Sequence, residues 1–254
     1  MRVIAIDWSG KEKNAAEFIW LAEVVDGRLV DLRNGLGREQ VVSHILSIEG
    51  KLVVGLDFAF SFPRWWCEER GWAMAADVWT AARDDGDCWL DKCPAPFWGR
   101  QTPRPHEQLK GLRRTERESP GAAKSVFQIG GAGAVGTGSV RGMPHLLRLR
   151  DKDFSIWPFD PPGSRTVVEI YPRVLTEEPV NKGRWRDRRS YLRKYWPDQD
   201  AAMLERAAGS EDAFDAAVSA LVMGRHVDEL AALRQTEDPD HLIEGCIWLP
   251  APSR

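Results

Sequence analysis

No apolar run in the 254-residue sequence approaches the ~20 residues that a transmembrane helix needs, so a membrane-spanning protein is not expected. The first residues already show the pattern of a strand, and no signal-peptide layout precedes them. We therefore expect a cytoplasmic protein with no membrane partner.

Cysteine motifs and serine-hydrolase motifs are missing as well. None of the four cysteines belongs to a CxxC pair, which disfavours a structural zinc site and favours reduced thiols. No Gly-x-Ser-x-Gly segment supports a serine hydrolase. The formal net charge of −3 means that nucleic acid, if it is bound, must meet local basic patches.

The apolar residues predict an α/β protein. Residues 2–7, 17–24 and 28–35 read as three strands, and the Asp26-Gly27 turn joins the last two into a hairpin. Further buried strands are predicted at 51–60 and 166–172.

Helical patterns precede both of these later strands, so they should run parallel to the first strand. The sequence therefore predicts a mixed five-stranded sheet, a meander of three strands followed by parallel strands, flanked by helices. We expect residues 1–254 to form a single domain, with the Gly-, Pro- and Arg-rich residues 86–143 as a large inserted cap. Other predicted elements are helices at 38–50, 63–85, 145–151, 184–196 and 210–233, short helices near 106–114, and a last short strand at 245–250.

Acidic residues lie at or near the ends of three predicted strands. A lone aspartate after a strand is usually a turn former, but Asp7, Asp57 and Glu169 come from strands that we expect to be parallel. Ligands of such sheets bind outside the carboxyl ends of the strands. The three acids should therefore converge at one edge of the sheet.

The predicted helix at 210–233 offers further carboxylates. Ser210 is a good N-cap and Asp212 suits the first turn, whereas Asp215 lies beyond that turn and borders the apolar face. Carboxylates without histidine or cysteine suit Mg²⁺ or Mn²⁺. We expect Asp7 to bridge two ions, of which Asp57 and Asp215 each hold one. Asp212 supports this site, and Glu169 adds a ligand or orients water.

Five segments of this sequence resemble a known family. They are "IAIDWSG", "VVGLDFAFSFP", "VVEIYPR", "DAFDAAVSAL" and "KSVFQIGGAGAVGTGSVRGMPHLLRL". Together they resemble a family of unknown function (domain of unknown function 429) described as predicted nucleases with an RNase H-like fold, and the resemblance spans nearly the whole chain. In RNase H-like enzymes the acids come from the first strand, the fourth strand or an adjacent helix, and the last helix. Asp7, Asp57 and Asp215 match those places, and Glu169 lies outside them.

Glycines at 131, 133 and 136 form a Gly-x-Gly-x-x-Gly pattern after an apolar run. In a dinucleotide site this pattern opens a helix, but the nearby Gly138, Gly142 and Pro144 are expected to interrupt one. A loop that contacts phosphate and a tightly turned cap loop remain open alternatives. From this region Lys124, Ser139 and Arg141 are the candidate substrate-binding residues.

The predicted helix at 184–196 is rich in arginine and aromatic residues. Arg184 and Arg188 are candidates for phosphate contact, with aromatic rings available for stacking on bases. The alternative is a solvated helix whose aromatic residues turn into the core.

The favoured function is that of a metal-dependent nuclease or phosphodiesterase acting on DNA or RNA. One alternative is an ATP-dependent phosphotransferase of actin-like or sugar-kinase type, because "DWSG" at 7–10 faintly resembles their first phosphate loop. The other is a non-catalytic nucleic-acid-binding protein of the same fold.

Overall fold

A computed structural model describes residues 1–100, 102–105, 108–119 and 123–251. They form a mixed six-stranded sheet in the order β3-β2-β1-β4-β6-β5. The strands are β1 (Arg2–Asp7), β2 (Trp20–Val25), β3 (Arg28–Arg33), β4 (Leu52–Leu56), β5 (Ser155–Ile156) and β6 (Arg165–Glu169).

The predicted meander and the predicted parallel strands are both confirmed. β1, β2 and β3 pair antiparallel, and β1, β4 and β6 pair parallel. Asp26 and Gly27 both have positive φ (47° and 78°), as the tight turn between β2 and β3 requires. The prediction of five strands was one short, because β5 has only two residues and leaves no periodic pattern in the sequence.

Helices flank the sheet. They are α1 (Ala15–Phe18), α2 (Arg38–Ser47), α3 (Arg64–Glu69), α4 (Ala75–Lys92), α5 (Arg114–Glu118), α6 (Gly136–Arg150), α7 (Trp185–Tyr195), α8 (Ala201–Ala208), α9 (Glu211–Arg225), α10 (Val227–Ala231) and α11 (His241–Glu244), with 3-10 turns at Gln108–Gly111 and Pro172–Val174. Within the described residues, no helix combines the length and apolarity that a bilayer crossing requires.

The core lies on both faces of the sheet. Along β1, Val3 and Ala5 pack in one apolar cluster, which includes α9 residues. Ile4 and Ile6 pack in the other cluster, with residues of α2, α4 and α6. Alternate side chains of a strand point to opposite faces, so β1 is buried on both sides. This burial fixes the position of Asp7 at the end of the strand.

The inserted segment is shorter than the predicted cap of 86–143. Helix α4 continues to Lys92 and α6 begins at Gly136, and these two helices pack together. The irregular segment therefore runs from 93 to 135, and residues 106–107 of the predicted short helices lie outside the described residues. Stacked rings of Phe62 and Phe127, with centroids 5.4 Å apart, pack the segment against the main body.

Three further predictions need correction. The expectation that glycines and Pro144 would interrupt a helix is wrong, because α6 runs through them. Gly142 is needed there, since a Cβ atom would lie 2.7 Å from the Phe58 ring. The predicted helix at 210–233 is split at His226 into α9 and α10, and the predicted strand at 245–250 forms only a bridge between Ile247 and Glu169.

Candidate functional site

Two aspartates meet at the carboxyl ends of adjacent parallel strands. Asp7 is the last residue of β1, and Asp57 directly follows β4. The Asp57 backbone N–H donates to Ile6 O at 3.1 Å, which continues the strand pairing up to the two acids. Their half-buried carboxyl groups lie close enough for each to shift the pKa of the other.

Helix α9 brings two more carboxylates to this pair. Ser210 caps the helix by accepting a hydrogen bond from Ala213 N–H at 3.0 Å, and the buried face of α9 packs on the sheet. Asp212 and Asp215 are close enough for their charges to act on Asp7. We use the name acid cluster for Asp7, Asp57, Asp212 and Asp215.

Lys182 neutralises part of the acid cluster. Its Nζ lies 2.5 Å from Asp215 Oδ1, and the two side chains are only 19% and 20% exposed. The same ammonium group also lowers the pKa of Asp57, although less strongly than burial raises it. Lys182 lies just before the basic helix α7, and no local sequence pattern links it to the acids.

Burial raises the pKa values of all four acids, and repulsion by other members of the cluster adds to the effect for Asp7, Asp57 and Asp215. The pKa of Asp57 is about 8, first because of burial and then because of the charge of Asp215. Burial, followed by the charge of Asp57, raises the pKa of Asp7 well above its usual range. Burial also raises the pKa values of Asp212 and Asp215. The cluster therefore favours a proton or another positive charge between its carboxylates.

The donor set of the acid cluster fits a hard divalent cation. In the part of the chain that the structure describes, no three His, Cys, Asp or Glu side chains are already arranged around one ion position. In the present arrangement Asp7 lies beside Asp57, and Lys182 pairs with Asp215. Carboxylate oxygens are the ligands that Mg²⁺ and Mn²⁺ prefer, and either ion could supply the positive charge that the raised pKa values favour and replace the Lys182 ammonium group.

Glu169 is engaged in structural contacts. Its Oε1 lies 2.5 Å from Arg113 Nη2, and its Oε2 accepts from Arg113 Nη1 and from Phe60 N–H at 2.8 and 3.0 Å. Arg113 is also paired with Glu116. Because both carboxylate oxygens are occupied in a buried network, these contacts favour a structural role over the predicted ligand role. Nothing in the sequence singled out Arg113 as the partner of Glu169.

A cavity of about 240 Å³ opens beside the acid cluster. Its walls include Asp57, Trp8, Tyr171 and residues 133–135 of the segment that precedes α6. Lys124 also lines it, and this exposed lysine is the one predicted substrate-binding residue found in its wall. We call this cavity the acid-side cavity.

Ser139 and Arg141 position backbone near the acid cluster. Ser139 is buried, and its Oγ accepts from Ala59 N–H at 3.0 Å. Arg141 Nη1 donates to Gly10 O at 2.5 Å. Ser139 and Arg141 therefore hold the backbone segments that follow Asp57 and Asp7. These contacts favour a role in positioning the two aspartates over the predicted contact with substrate.

The glycine-rich segment brings two backbones close together. The three glycines of the pattern precede or begin α6, but the apolar run before them joins no strand of the described sheet. A Cβ atom at Gly10 would lie 2.4 Å from Gly138 N, so both positions serve a close approach of the Asp7 loop to α6. This packing accounts for glycine at position 10 without dinucleotide binding.

The two arginines predicted on the basic helix have different environments. Arg188 is buried and donates to Ala208 O at 2.9 Å and to Lys182 O, so it holds the segment that carries Lys182. Arg184 is exposed. Tyr191 of α7 is buried, whereas Trp185 is 45% exposed. Helix α7 therefore turns one aromatic residue into the core and leaves Arg184 and Trp185 available to a ligand.

Comparison of the chain with protein-family models, curated proteins and solved structures finds no match.

Proposed function

We propose that this protein is a metal-dependent phosphodiesterase with an RNase H-like fold that cleaves nucleic acid. The observation that carries the proposal is the carboxyl pair of Asp7 and Asp57 at the ends of adjacent parallel strands, with Asp215 of α9 close enough for its charge to act on both. These are the places from which RNase H-like enzymes take their acids, according to the resemblance in the sequence.

Each member of the acid cluster has a role in this proposal. Asp7, Asp57 and Asp215 would hold Mg²⁺ or Mn²⁺, and the ion would take the place of Lys182 beside Asp215. Asp212 adds negative potential without a direct contact to the ion. When bound here, the ion supplies an activated water and stabilises the oxygen that leaves phosphorus.

Basic residues next to the acid cluster bind the substrate phosphates. Lys124 lies in the wall of the acid-side cavity, and Lys182 would be free to meet a phosphate if a cation took its place beside Asp215. Arg184, directly before α7, supplies a further exposed cation. These local charges attract a polyanion although the chain has a net charge of −3.

A cleavage assay with an isosteric variant tests the proposal. Single-stranded, duplex and branched DNA and RNA are incubated with Mg²⁺, Mn²⁺ or EDTA, in parallel with Asp7→Asn. The matched control is Asp85→Asn, because Asp85 is exposed on α4. We expect metal-dependent cleavage by the wild type and the control, with a loss of about 100-fold or more in Asp7→Asn, since the variant lacks a ligand charge.

The same assay separates the alternatives. Binding of nucleic acid without cleavage in any metal would favour a non-catalytic binding protein. ATP turnover that depends on Asp7 would favour a phosphotransferase. Equal cleavage by the wild type and Asp7→Asn would contradict the metal-site proposal.

A further inference from the structure

A second cavity, of about 300 Å³, lies where the inserted segment meets α3. It is lined by Trp65, Pro96, Trp98, Pro105, Lys110, Gly111 and Phe127, and we call it the aromatic cavity. Its volume is at the lower end of the range for small-molecule sites, about 300–1,000 Å³. None of its lining residues belongs to the acid-side cavity.

The walls of the aromatic cavity suit a flat ring. Trp65 and Trp98 are half-buried, whereas the nearby Trp66 is 1% exposed and serves the core. The Trp65 and Phe127 rings are tilted by 51° with centroids 6.0 Å apart, and Trp65 is held in place because its Nε1 donates to Lys110 O at 2.7 Å. Aromatic walls of this kind bind ligand rings by stacking.

Positive charge surrounds these rings. Lys110 Nζ lies 5.0 Å from the Trp65 ring centroid, and the Arg104 guanidinium lies 5.4 Å from that of Trp98. Lys110 is the one ionisable residue among those that line the cavity. An apolar slot with a cationic rim matches a ligand that combines an aromatic ring with a negative charge. A nucleotide has both features.

The two cavities share the same two chain segments. Along one segment, Lys110 lines the aromatic cavity and Arg113 lines the acid-side cavity. Along the other, Phe127 lines the aromatic cavity and Lys124 lines the acid-side cavity. Three residues of extended chain span at most about 11 Å. The two cavities therefore lie within the length of a short oligonucleotide.

We propose that the aromatic cavity binds an unpaired base of a single-stranded nucleic acid, with Lys110 contacting its phosphate. A base inside a duplex is paired and stacked, so it cannot enter without unpairing. The site thereby selects substrates with single-stranded segments over continuous duplexes. This inference rests on the proposed function, because it assumes that the acid-side cavity takes a phosphodiester of the same strand.

Binding without metal tests the inference independently of cleavage. The probe is a fluorescein-labelled twelve-residue oligothymidylate, alone or paired with oligoadenylate, and binding is followed by fluorescence anisotropy in EDTA. We expect the single strand to bind more tightly than the duplex. Trp98→Ala should weaken single-strand binding about tenfold or more, given the usual contribution of one base–aromatic stack. Trp98→Phe should stay within about threefold of wild type, because it keeps a ring.

Two further variants control for folding and for charge. Trp157→Ala removes an equally half-buried tryptophan outside both cavities, and it should leave binding unchanged. Lys110→Gln changes an exposed residue, and it tests the aromatic cavity if Trp98→Ala fails to fold. It should weaken binding and lower the slope of log affinity against log salt by about one.

The inference would be overturned by absence of binding, or by equal binding of single strand and duplex. It would also be overturned if Trp98→Ala bound like the wild type. Where Trp98→Ala does not fold, wild-type binding by Lys110→Gln would overturn it instead. Failure of the proposed function looks different. Binding in EDTA that depends on Trp98, without cleavage in any metal, would remove the nuclease proposal and leave the aromatic site. Cleavage that depends on Asp7 but not on Trp98 would remove the aromatic site and leave the nuclease proposal.

Discussion

Arg113 Nη2 lies 2.5 Å from Glu169 Oε1, and the two side chains are only 1% and 3% exposed. The arginine comes from the inserted segment, and the glutamate is the last residue of β6. Glu116 and the backbone oxygen of Glu244 occupy the remaining side of the guanidinium. A buried ionic network thus fastens the inserted segment to the sheet beside Asp57.

The first prediction concerns the stability of this network. Arg113→Met leaves Glu169 and Glu116 buried without their partner, so we expect a loss of about 3–5 kcal/mol in the free energy of unfolding. Urea unfolding followed by circular dichroism measures it. The control Arg117→Met, at an exposed position, should change stability by less than about 0.5 kcal/mol. A loss below about 1 kcal/mol in Arg113→Met would contradict the structural role of the pair.

The second prediction separates Glu169 from the acid cluster. Glu169→Gln keeps the side-chain shape but weakens the pairing with Arg113, so stability should fall by about 1–3 kcal/mol. Metal-dependent cleavage, measured well below the melting temperature, should stay within a few-fold of wild type. Asp57→Asn in the same assay should lose cleavage. Loss of cleavage in Glu169→Gln with an unchanged melting temperature would instead make Glu169 a ligand.

The third prediction concerns pH. The pKa of Asp57 is raised from 3.8 to about 8 in the folded protein, so between these values the folded state binds a proton that the unfolded state lacks. This group's stabilising contribution is therefore complete below about pH 4 and is lost as pH rises towards 8. The Asp57→Asn variant has no carboxyl group to ionise at this position, so it escapes this loss. At pH 8 without metal, its free energy of unfolding should exceed that of the wild type by about 1.4 kcal/mol or more, which corresponds to a pKa shift of one unit.

Urea titrations at pH 5 and pH 8 in EDTA measure this effect. The wild type should lose stability between the two pH values relative to Asp57→Asn, and Asp85→Asn should follow the wild type. Parallel pH dependence of the wild type and Asp57→Asn would show that Asp57 does not titrate in this window.

The fourth prediction concerns Lys182. Its ammonium group pairs with Asp215 and has to leave before Asp215 can hold a cation. Lys182→Gln should therefore bind Mn²⁺ several-fold more tightly than wild type, as measured by calorimetric titration. Lys194→Gln, which breaks an exposed pair with Glu178, should leave the affinity unchanged. Weaker Mn²⁺ binding by Lys182→Gln would mean that the lysine supports the metal-bound form.

The fifth prediction concerns the loop after Asp7. A Cβ atom at Gly10 would lie 2.4 Å from Gly138 N and 2.7 Å from Thr137 C, so Gly10→Ala must move the loop away from α6. We expect a stability loss of about 1–3 kcal/mol and reduced cleavage, because the shift displaces Asp7. Gly183→Ala, where the nearest atom would be 3.5 Å away, is the control. A melting temperature equal to wild type for Gly10→Ala would contradict the close contact.

Local patterns in the sequence were sufficient for five of the six strands and for the positions of Asp7 and Asp57 at strand ends. Apolar runs predicted β1 and β4, and the Asp-Gly turn predicted the pairing of β2 with β3, since these signals depend on neighbouring residues only. Parallel connection of β4 and β6 to β1 followed from the helices between them. The expectation that Asp7 and Asp57 meet needed no further information.

Only the tertiary structure decided which groups neutralise those acids. Lys182 pairs with Asp215 across 33 residues of chain, and Arg113 pairs with Glu169 across 56 residues. Contacts between residues so far apart in the chain leave no periodic pattern in the sequence. Helix α6 also forms against its local glycine and proline content, because packing of its buried face on Phe58 and α4 outweighs propensity. The sequence determined where the carboxylates lie, and long-range packing determined what each of them contacts.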